Sequence, residues 1–295
     1  MVTRTRGDKI FDTVNLVLLL LFLFVIIYPL YFVLVASLTD PRLIYDNPIL
    51  LLPRGFTLES YRTVFNNQDI WTGYGNTLLY TSLGTVINIV FTILAAYPLS
   101  RSDLAGRGPL SLIIVFTMFF NGGLIPTYLV IRNLGMLNTI WAMVVPNAIN
   151  VYNMVIMRTY FQTRIPGELN DSARIDGCSN LQTLARIVLP LSTPIIAVMV
   201  LFYSVWHWNS YFDALIYLSD RDRFPLQLFL REILVQSEVE SMLTLAMDEG
   251  YGRRMVMREG LKYAVVVVSS LPMLILYPLL QRSFKAGILV GALKG

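Results

Sequence analysis

Three asparagines recur at every third position of one apolar stretch, at Asn147, Asn150 and Asn153. On an α-helix, at about 100° per residue, they form one stripe about 9 Å long. Amide groups are costly inside a bilayer unless they find partners, and such residues usually face a bundle interior or a water-filled pathway. The stripe therefore either lines a route for a polar solute or hydrogen-bonds to neighbouring helices and fixes their packing.

A second candidate site is a cluster of aromatic and hydrogen-bonding residues, namely Tyr203, Trp206, His207, Trp208, Asn209 and Tyr211. Aromatic residues at the end of an apolar helix are typical of the belt that Trp and Tyr form at a membrane surface. Alternatively, their flat faces pack against the C–H faces of a sugar while His207 and Asn209 bind its hydroxyl groups. A proton-coupling role for His207 is disfavoured, because no acidic residue is adjacent within the same apolar stretch.

The residue counts disfavour catalytic, metal and redox chemistry. The chain has one histidine, His207, and one cysteine, Cys178, so it supplies neither a His-rich metal site nor an intrachain disulfide. An intramembrane hydrolase would need a serine or aspartate paired with a base at membrane depth, and His207 lies near a helix end. The sequence contains no P-loop motif. We therefore expect no catalytic residue, no metal and no cofactor on this chain.

These side chains belong to a chain that is too apolar for a soluble protein. Of its 295 residues, 55% are hydrophobic and 14% are charged, against roughly 25% charged in an average soluble domain. The mean hydropathy of +0.60 agrees. The net charge of +4 does not indicate nucleic-acid binding, because the basic residues are scattered and membrane proteins acquire positive charge for topological reasons. The sequence predicts an integral membrane protein.

Apolar runs of about 20 residues are long enough to cross a bilayer. Six such runs are found, at residues 14–38, 75–99, 110–131, 139–157, 187–208 and 263–280. The first is too long for the apolar part of a cleaved signal peptide, so we expect it to remain as a helix. Six spans place both termini on one side. The short loops on that side carry an excess of basic residues, which predicts cytoplasmic N- and C-termini.

The spans imply a simple domain organisation. A cytoplasmic N-terminus (residues 1–13) precedes a transmembrane domain (14–285) and a cytoplasmic tail (286–295). Two outer loops, 39–73 and 209–260, are long. The second is longer than a plain connection requires, so we expect it to bind a partner outside the membrane.

The inner loop between the fourth and fifth spans carries the local signals of two short helices. Pro166 suits a helix start, and Glu168 puts negative charge in the first turn, where the helix dipole favours it. Gly177 supplies a left-handed stop, and Ser179 opens a capping box with Gln182. Such a helix is suited to passing force from a cytoplasmic partner, and it is equally compatible with an ordinary surface helix that has no partner.

The spacing in this loop resembles the cytoplasmic signature of binding-protein-dependent ABC importer permeases. That signature is Glu-Ala-Ala, three residues, Gly, nine residues, then Ile-x-Leu-Pro. Here Asp171-Ser172-Ala173 is followed by three residues, Gly177, nine residues and the sequence Ile-Val-Leu-Pro at 187–190. The register matches throughout.

Two positions depart from the signature: the leading glutamate is Asp171, one methylene shorter, and the first alanine is Ser172. Glu168, three residues earlier on the same face, is placed to share the carboxylate role. The resemblance implies a coupling helix, at about residues 168–177, that docks on a separate ATPase. The residues it implicates are Glu168, Asp171, Ser172, Ala173, Asp176, Gly177, Ile187, Leu189 and Pro190.

Three further stretches, residues 118–128, 206–215 and 291–295, are similar to carbohydrate permeases like the smaller permease of the maltose transporter. The branch they resemble most is associated with aldouronate and alginate oligosaccharides. The resemblance implies an all-α, type I ABC importer permease with six transmembrane helices, which imports sugar across the bacterial cytoplasmic (inner) membrane by alternating access. An importer permease for a different solute class is the main alternative, with a receptor or scaffold protein as another.

The same resemblance implies a set of partners. They are a second, different permease, two copies of an ATPase that holds ATP and Mg, an extracytoplasmic sugar-binding protein, the sugar and membrane lipid. No nucleic acid is among them. The present chain would itself hold no cofactor.

Overall fold

A computed structural model describes the backbone of residues 6–45, 50–244 and 249–292, and the side chains of residues 7–44, 50–235 and 260–281. Within these ranges the chain forms helices and turns and no strand, which confirms the all-α prediction for the described part. The α-helices are α1 (Arg6–Ser37), α2 (Pro41–Tyr45), α3 (Glu59–Asn66), α4 (Gln68–Ser100), α5 (Arg107–Phe119), α6 (Leu124–Asn133), α7 (Ile140–Val144), α8 (Val151–Arg164), α9 (Gly167–Ile175), α10 (Asn180–Thr183), α11 (Leu189–Leu191), α12 (Thr193–Trp208), α13 (Phe212–Tyr217), α14 (Leu226–Thr244) and α15 (Glu249–Ala292).

The chain divides into two compact units. One comprises Met1–Gln68 and Leu230–Ser270, and the other comprises Asp69–Phe229 and Leu271–Gly295. The core of the first unit contains Val35, Ala36, Ile44 and Leu50, with Phe32 and Tyr263 packed against it. In the second unit, a larger core is formed by residues of α4, α8, α12 and the π-helical turn Leu184–Val188. This second core positions the candidate sites.

Several described helices are long and apolar enough to cross a membrane. Three do so without interruption: Gly7–Ser37 in α1, Gln68–Ser100 in α4 and Gly260–Gln281 in α15. Two more qualify as bent pairs, α5 with α6 at 110° and the segment Asn180–Leu191 with α12 at 83°. Three of the six apolar runs in the sequence therefore correspond to uninterrupted helices of sufficient length, and two more correspond to the bent pairs, each of which is either a broken span or a re-entrant loop.

Each bend has a local cause in the sequence. Gly123 has φ 88° and ψ 176°, a backbone region that is essentially restricted to glycine, and it lies directly before α6. At the other bend, Pro194 has no N–H to offer the carbonyl of Pro190. The hydroxyl of Thr193 donates to that carbonyl instead, at 2.9 Å.

The fourth apolar run, 139–157, is not one helix. It is divided into α7 and α8 by residues 145–150. Pro146 contributes to the interruption, because proline lacks the N–H that would continue the ladder and its ring clashes with the preceding turn. Asn150 then starts α8 by accepting a 3.1 Å hydrogen bond from the Asn153 N–H on its side-chain oxygen. The asparagine stripe therefore does not lie on a continuous helix.

Candidate functional site

The helix predicted from the importer signature is α9. It begins after Pro166, and Asp176 is its C-terminal cap. Gly177 has φ 76°, which confirms the predicted left-handed stop. The N–H of Cys178 donates to the Ala173 carbonyl at 2.9 Å and the N–H of Gly177 donates to the Arg174 carbonyl at 3.1 Å. This pair of bonds is a complete Schellman motif, so the end of α9 is set by interactions within six residues.

The predicted capping box after Gly177 is also confirmed. The Gln182 N–H donates to Ser179 Oγ at 3.3 Å, and the Ser179 N–H donates to Gln182 Oε1 at 2.8 Å. The chain then enters the π-helical turn, in which Val188 is buried. Of the remaining signature residues, Ile187 and Leu189 are half-buried and Pro190 is exposed.

The exposed face of α9 carries the signature carboxylates. Glu168, Asp171 and Ser172 are exposed, and Ile175 on the same stripe is 87% exposed. Ala173 is 2% exposed and faces the molecule. Residues at i, i+3, i+4 and i+7 share a helix face, so two carboxylates, a hydroxyl and a bare isoleucine side chain lie in one row.

The buried side of α9 is held by the loop that follows α4, which sequence reasoning did not find. Arg101 donates two 2.9 Å hydrogen bonds to the carboxylate of Asp103 and one of 2.9 Å to Oδ1 of Asn170. Arg174 reaches the same carboxylate at 3.6 Å. The Arg101 hydrogen bonds lower the pKa of Asp103 to about 2. The signal in the sequence was an Arg-x-Asp pair in a short loop.

A second site is a cavity of about 220 Å³ in the unit that contains α4, α8 and α12. We call it the amide cavity, and it is lined by Asn147, Ile149, Asn150, Asn153, Phe202, Tyr203 and Trp206. All three predicted asparagines therefore line one cavity, although Asn147 and Asn150 come from the break before α8. Phe202 and Ile149 were not predicted. Phe202 lies one helical turn before Trp206, so its spacing was the available signal.

The rest of the predicted aromatic cluster lies elsewhere. Trp208 is 1% exposed and packs edge-on against Tyr74, with 5.8 Å between ring centroids. Asn209 is exposed and donates to the Val205 carbonyl at 2.8 Å. His207 is 3% exposed and its Nε2 lies 2.6 Å from Oδ1 of Asn88. These three side chains do not line the amide cavity, because a helix turns them away from the face that carries Tyr203 and Trp206.

The described residues contain no group of three or more His, Cys, Asp or Glu side chains that could hold a metal ion. The chemistry that the two sites offer is hydrogen bonding, ring stacking and surface docking.

Comparison with known proteins places this arrangement in a family, although no protein-family model matches. The chain is 38% identical to Protein LplC of Bacillus subtilis (strain 168) over 99% of its own length and 97% of that protein. It is 39% identical to the polygalacturonan/rhamnogalacturonan transport system permease protein YtcP of the same organism, over 98% of this chain and 99% of that one.

A solved structure agrees with these relatives. A crystal structure of a bacterial ABC transporter that imports the acidic polysaccharide alginate contains a chain with a TM-score of 0.85 and 32% identity. The match covers 96% of this chain and 100% of that chain. Since the likeness extends from end to end in both sequence and fold, the chain belongs to the permease family of binding-protein-dependent carbohydrate ABC importers and is a non-catalytic membrane subunit.

Proposed function

We propose that this permease imports oligosaccharides derived from an acidic polysaccharide, of the aldouronate or alginate type. The names of its relatives support this: YtcP transports polygalacturonan and rhamnogalacturonan, and the structural neighbour imports alginate. A different solute class is the second candidate, because the sn-glycerol-3-phosphate permease UgpE of Salmonella typhi is 30% identical over 75% of this chain.

The amide cavity is proposed as part of the sugar pathway. The observation that carries this proposal is the meeting of three amides with the rings of Tyr203 and Trp206 in one small cavity. An amide both donates to and accepts from hydroxyl groups, and an aromatic face offers apolar area to the C–H face of a sugar. No charged side chain is among the lining residues that the structure describes, so the cavity suits hydroxyls and ring faces.

This pathway is tested on the importer purified through a tag on this chain and reconstituted with its binding protein. Trp206→Ala should raise the KM for uptake of oligogalacturonides or alginate oligosaccharides. Trp141→Ala is the matched control, since Trp141 is exposed and lies outside the cavity. Uptake of glycerol 3-phosphate alone would overturn the assigned solute class, and an equal KM in both tryptophan variants would remove the cavity from the pathway.

We further propose six membrane spans with both termini in the cytoplasm, in a bacterial inner membrane. The three uninterrupted helices and the two bent pairs would give five of these spans, and α7 with α8 would give the sixth across their break. The most apolar window of α1 has none of its residues buried, which leaves its surface to lipid and to a second, different permease. Reporter fusions at the two termini test the topology: signals from opposite sides would contradict an even number of spans.

The outer loop 209–260 is proposed to contact the extracytoplasmic sugar-binding protein. Its described backbone includes α13, α14 and the first residues of α15. Residues 245–248 and the side chains of 236–259 lie outside the described residues, and they include the charged tract from Met247 to Glu259. Deletion of residues 239–251 should weaken stimulation by the binding protein while the ATPase still assembles. Full stimulation of the shortened protein would rule this contact out.

The exposed row on α9 is proposed to dock on the ATPase, whose two copies would hold ATP and Mg. The exposure of the signature positions supports this, because Asp171 and Ser172 stand where the importer signature has its first two residues, and both are exposed in one row with Glu168 and Ile175. Ala173 and Gly177 would support the row from behind. A movement of α9 would be transmitted to α12 through Ile187, Leu189 and Pro190.

The experiment removes both carboxylates with Glu168→Ala and Asp171→Ala. Losing one partner of a desolvated charge pair costs about 2–5 kcal/mol, whereas an exposed pair contributes under about 1 kcal/mol. Copurification of the ATPase should therefore fall sharply, or hydrolysis should continue without uptake. Asp8→Ala with Asp12→Ala removes the same charge from two exposed positions outside α9 and outside both outer loops, and should change neither. Normal sugar uptake by the Glu168→Ala, Asp171→Ala double variant would rule out the docking proposal.

A further inference from the structure

The break between α7 and α8 leaves backbone groups that a helix would have paired. At membrane depth, such irregular backbone is tolerated only where it is buried in protein or lines a cavity, and each carbonyl needs a partner. The carbonyl of Asn147 has one. It accepts a 2.6 Å hydrogen bond from the side-chain Nδ2 of Asn88, which belongs to α4.

Asn88 is itself held on its other side. Its side chain is fully buried, and its Oδ1 lies 2.6 Å from Nε2 of His207 in α12. Chemistry determines which atom donates and which accepts in these two hydrogen bonds, which together we call the relay. A carbonyl can only accept, so the NH₂ group of Asn88 must face Asn147, and its oxygen then accepts from an N–H on His207 Nε2.

The position of the His207 ring is enforced by its neighbour on α4. A Cβ atom built on Gly84 would lie 2.3 Å from both Cε1 and Nε2 of the ring, so the ring fills the space that the missing side chain leaves. The ring also packs edge-on against Trp206, with 4.6 Å between centroids. Trp206 lines the amide cavity and His207 does not.

We propose that His207 and Asn88 are positioning residues that hold the break in place and thereby shape the amide cavity. The chain of bonds runs from His207 through Asn88 to the Asn147 carbonyl, and the Asn147 side chain lines the cavity. The geometric part of this proposal depends only on these contacts. The expected effect on sugar uptake rests on the proposed pathway function.

The test reports on the shape of the cavity without needing the sugar. In a Cys178→Ser background, Ile149→Cys places a thiol on the cavity wall, at a residue that is 42% exposed. The rate of its modification by a small charged methanethiosulfonate reagent is measured in the assembled importer. Asn88→Leu and His207→Leu should each change that rate about tenfold, the population change expected when one buried hydrogen bond is lost.

Matched variants separate positioning from general packing. His207→Gln keeps an N–H donor and should restore the normal rate. Asn88→Leu combined with His207→Leu should change the rate no more than the larger single change, because both act through one relay. Ser204→Ala removes a different bond between α4 and α12, the 3.3 Å contact with Thr85, and should leave the rate unaltered.

Three outcomes would overturn the proposal: a normal rate in His207→Leu, a changed rate in Ser204→Ala, or a failure of His207→Gln to restore the rate. If Asn88→Leu does not assemble, His207→Phe keeps a ring without an N–H and carries the same test. Protection of the Ile149→Cys thiol by oligogalacturonide is measured separately. Absence of that protection would count against the pathway function and leave the relay intact.

Discussion

Arg101 Nη1 donates a 2.9 Å hydrogen bond to Oδ1 of Asn170, which joins the loop after α4 to the middle of α9. The same guanidinium donates two further hydrogen bonds to the carboxylate of Asp103. The Arg101 side chain is only 12% exposed. A planar fork with five donors can make all three contacts at once. The helix that carries the importer signature is therefore held on one side by the loop that follows α4, while Glu168, Asp171 and Ser172 on its other face are exposed.

Arg101→Lys should weaken this hold even though the charge is kept. An ammonium is a point charge that cannot grip a carboxylate with two parallel bonds and reach Asn170 as well. We expect a loss of about 1–2 kcal/mol in stability, from one or two hydrogen bonds, and weaker coupling of ATP hydrolysis to uptake. Thermal unfolding and the ratio of sugar taken up to ATP hydrolysed measure these. Arg132→Lys, at an exposed site, is the control, and equal behaviour of both lysine variants would contradict the prediction.

The lowered pKa of Asp103 predicts the direction in which the stability of the folded protein changes with pH. Its pKa falls from 3.8 to about 2 in the folded protein, chiefly through the hydrogen bonds from Arg101. A lowered pKa contributes stability that is fully present above pH 3.8 and is lost as the pH falls towards 2. The thermal stability difference between the unaltered protein and Asp103→Asn should hence be constant from pH 8 to 5 and shrink below pH 4. If this stability difference changes between pH 8 and 6 instead, the pH dependence belongs to a titratable group other than Asp103.

Gly177→Val should impair coupling through backbone strain alone. A Cβ at Gly177 would meet no atom within 4 Å, but its φ of 76° is disfavoured for residues with side chains. The left-handed conformation costs about 1–2 kcal/mol for such a residue, and a β-branched side chain is the least tolerant. We expect normal membrane insertion with lost uptake. Gly177→Asn should retain most activity, since asparagine tolerates this region, and loss in both variants would point to a side-chain clash instead.

Gly84→Ala should destabilise the protein by about 1–3 kcal/mol, the usual cost of overpacking a buried site. The added methyl would lie 2.3 Å from the His207 ring, which is 3% exposed and cannot simply swing into solvent. Gly75→Ala lies in the same helix with nothing within 4 Å, so it should be neutral or slightly stabilising. Thermal unfolding in one detergent compares the two. Equal melting temperatures would mean that the ring is not confined.

The amino-acid sequence alone was sufficient to predict the membrane class, the three uninterrupted apolar helices and the ends of the helices in the signature loop. These features depend on composition or on bonds between near neighbours. Gly177 and Cys178 close the end of α9 within six residues, and Ser179 pairs with Gln182 three residues on. Interactions of such short range leave their pattern in the sequence, so they can be predicted without knowing which helices touch.

The tertiary structure decided which polar side chains meet. Asn88 and His207 are 119 positions apart, and Arg101 and Asn170 are 69 apart. Sequence reasoning placed His207 either in an aromatic belt or at the solute, because only its aromatic neighbours along the chain were visible to it. Packing of α4 against α12 buries the ring instead, since Gly84 opens a space for it there. Likewise, the asparagine stripe assumed a straight helix, and it is the interruption before α8, held by a side chain from α4, that turns the three amides into one cavity.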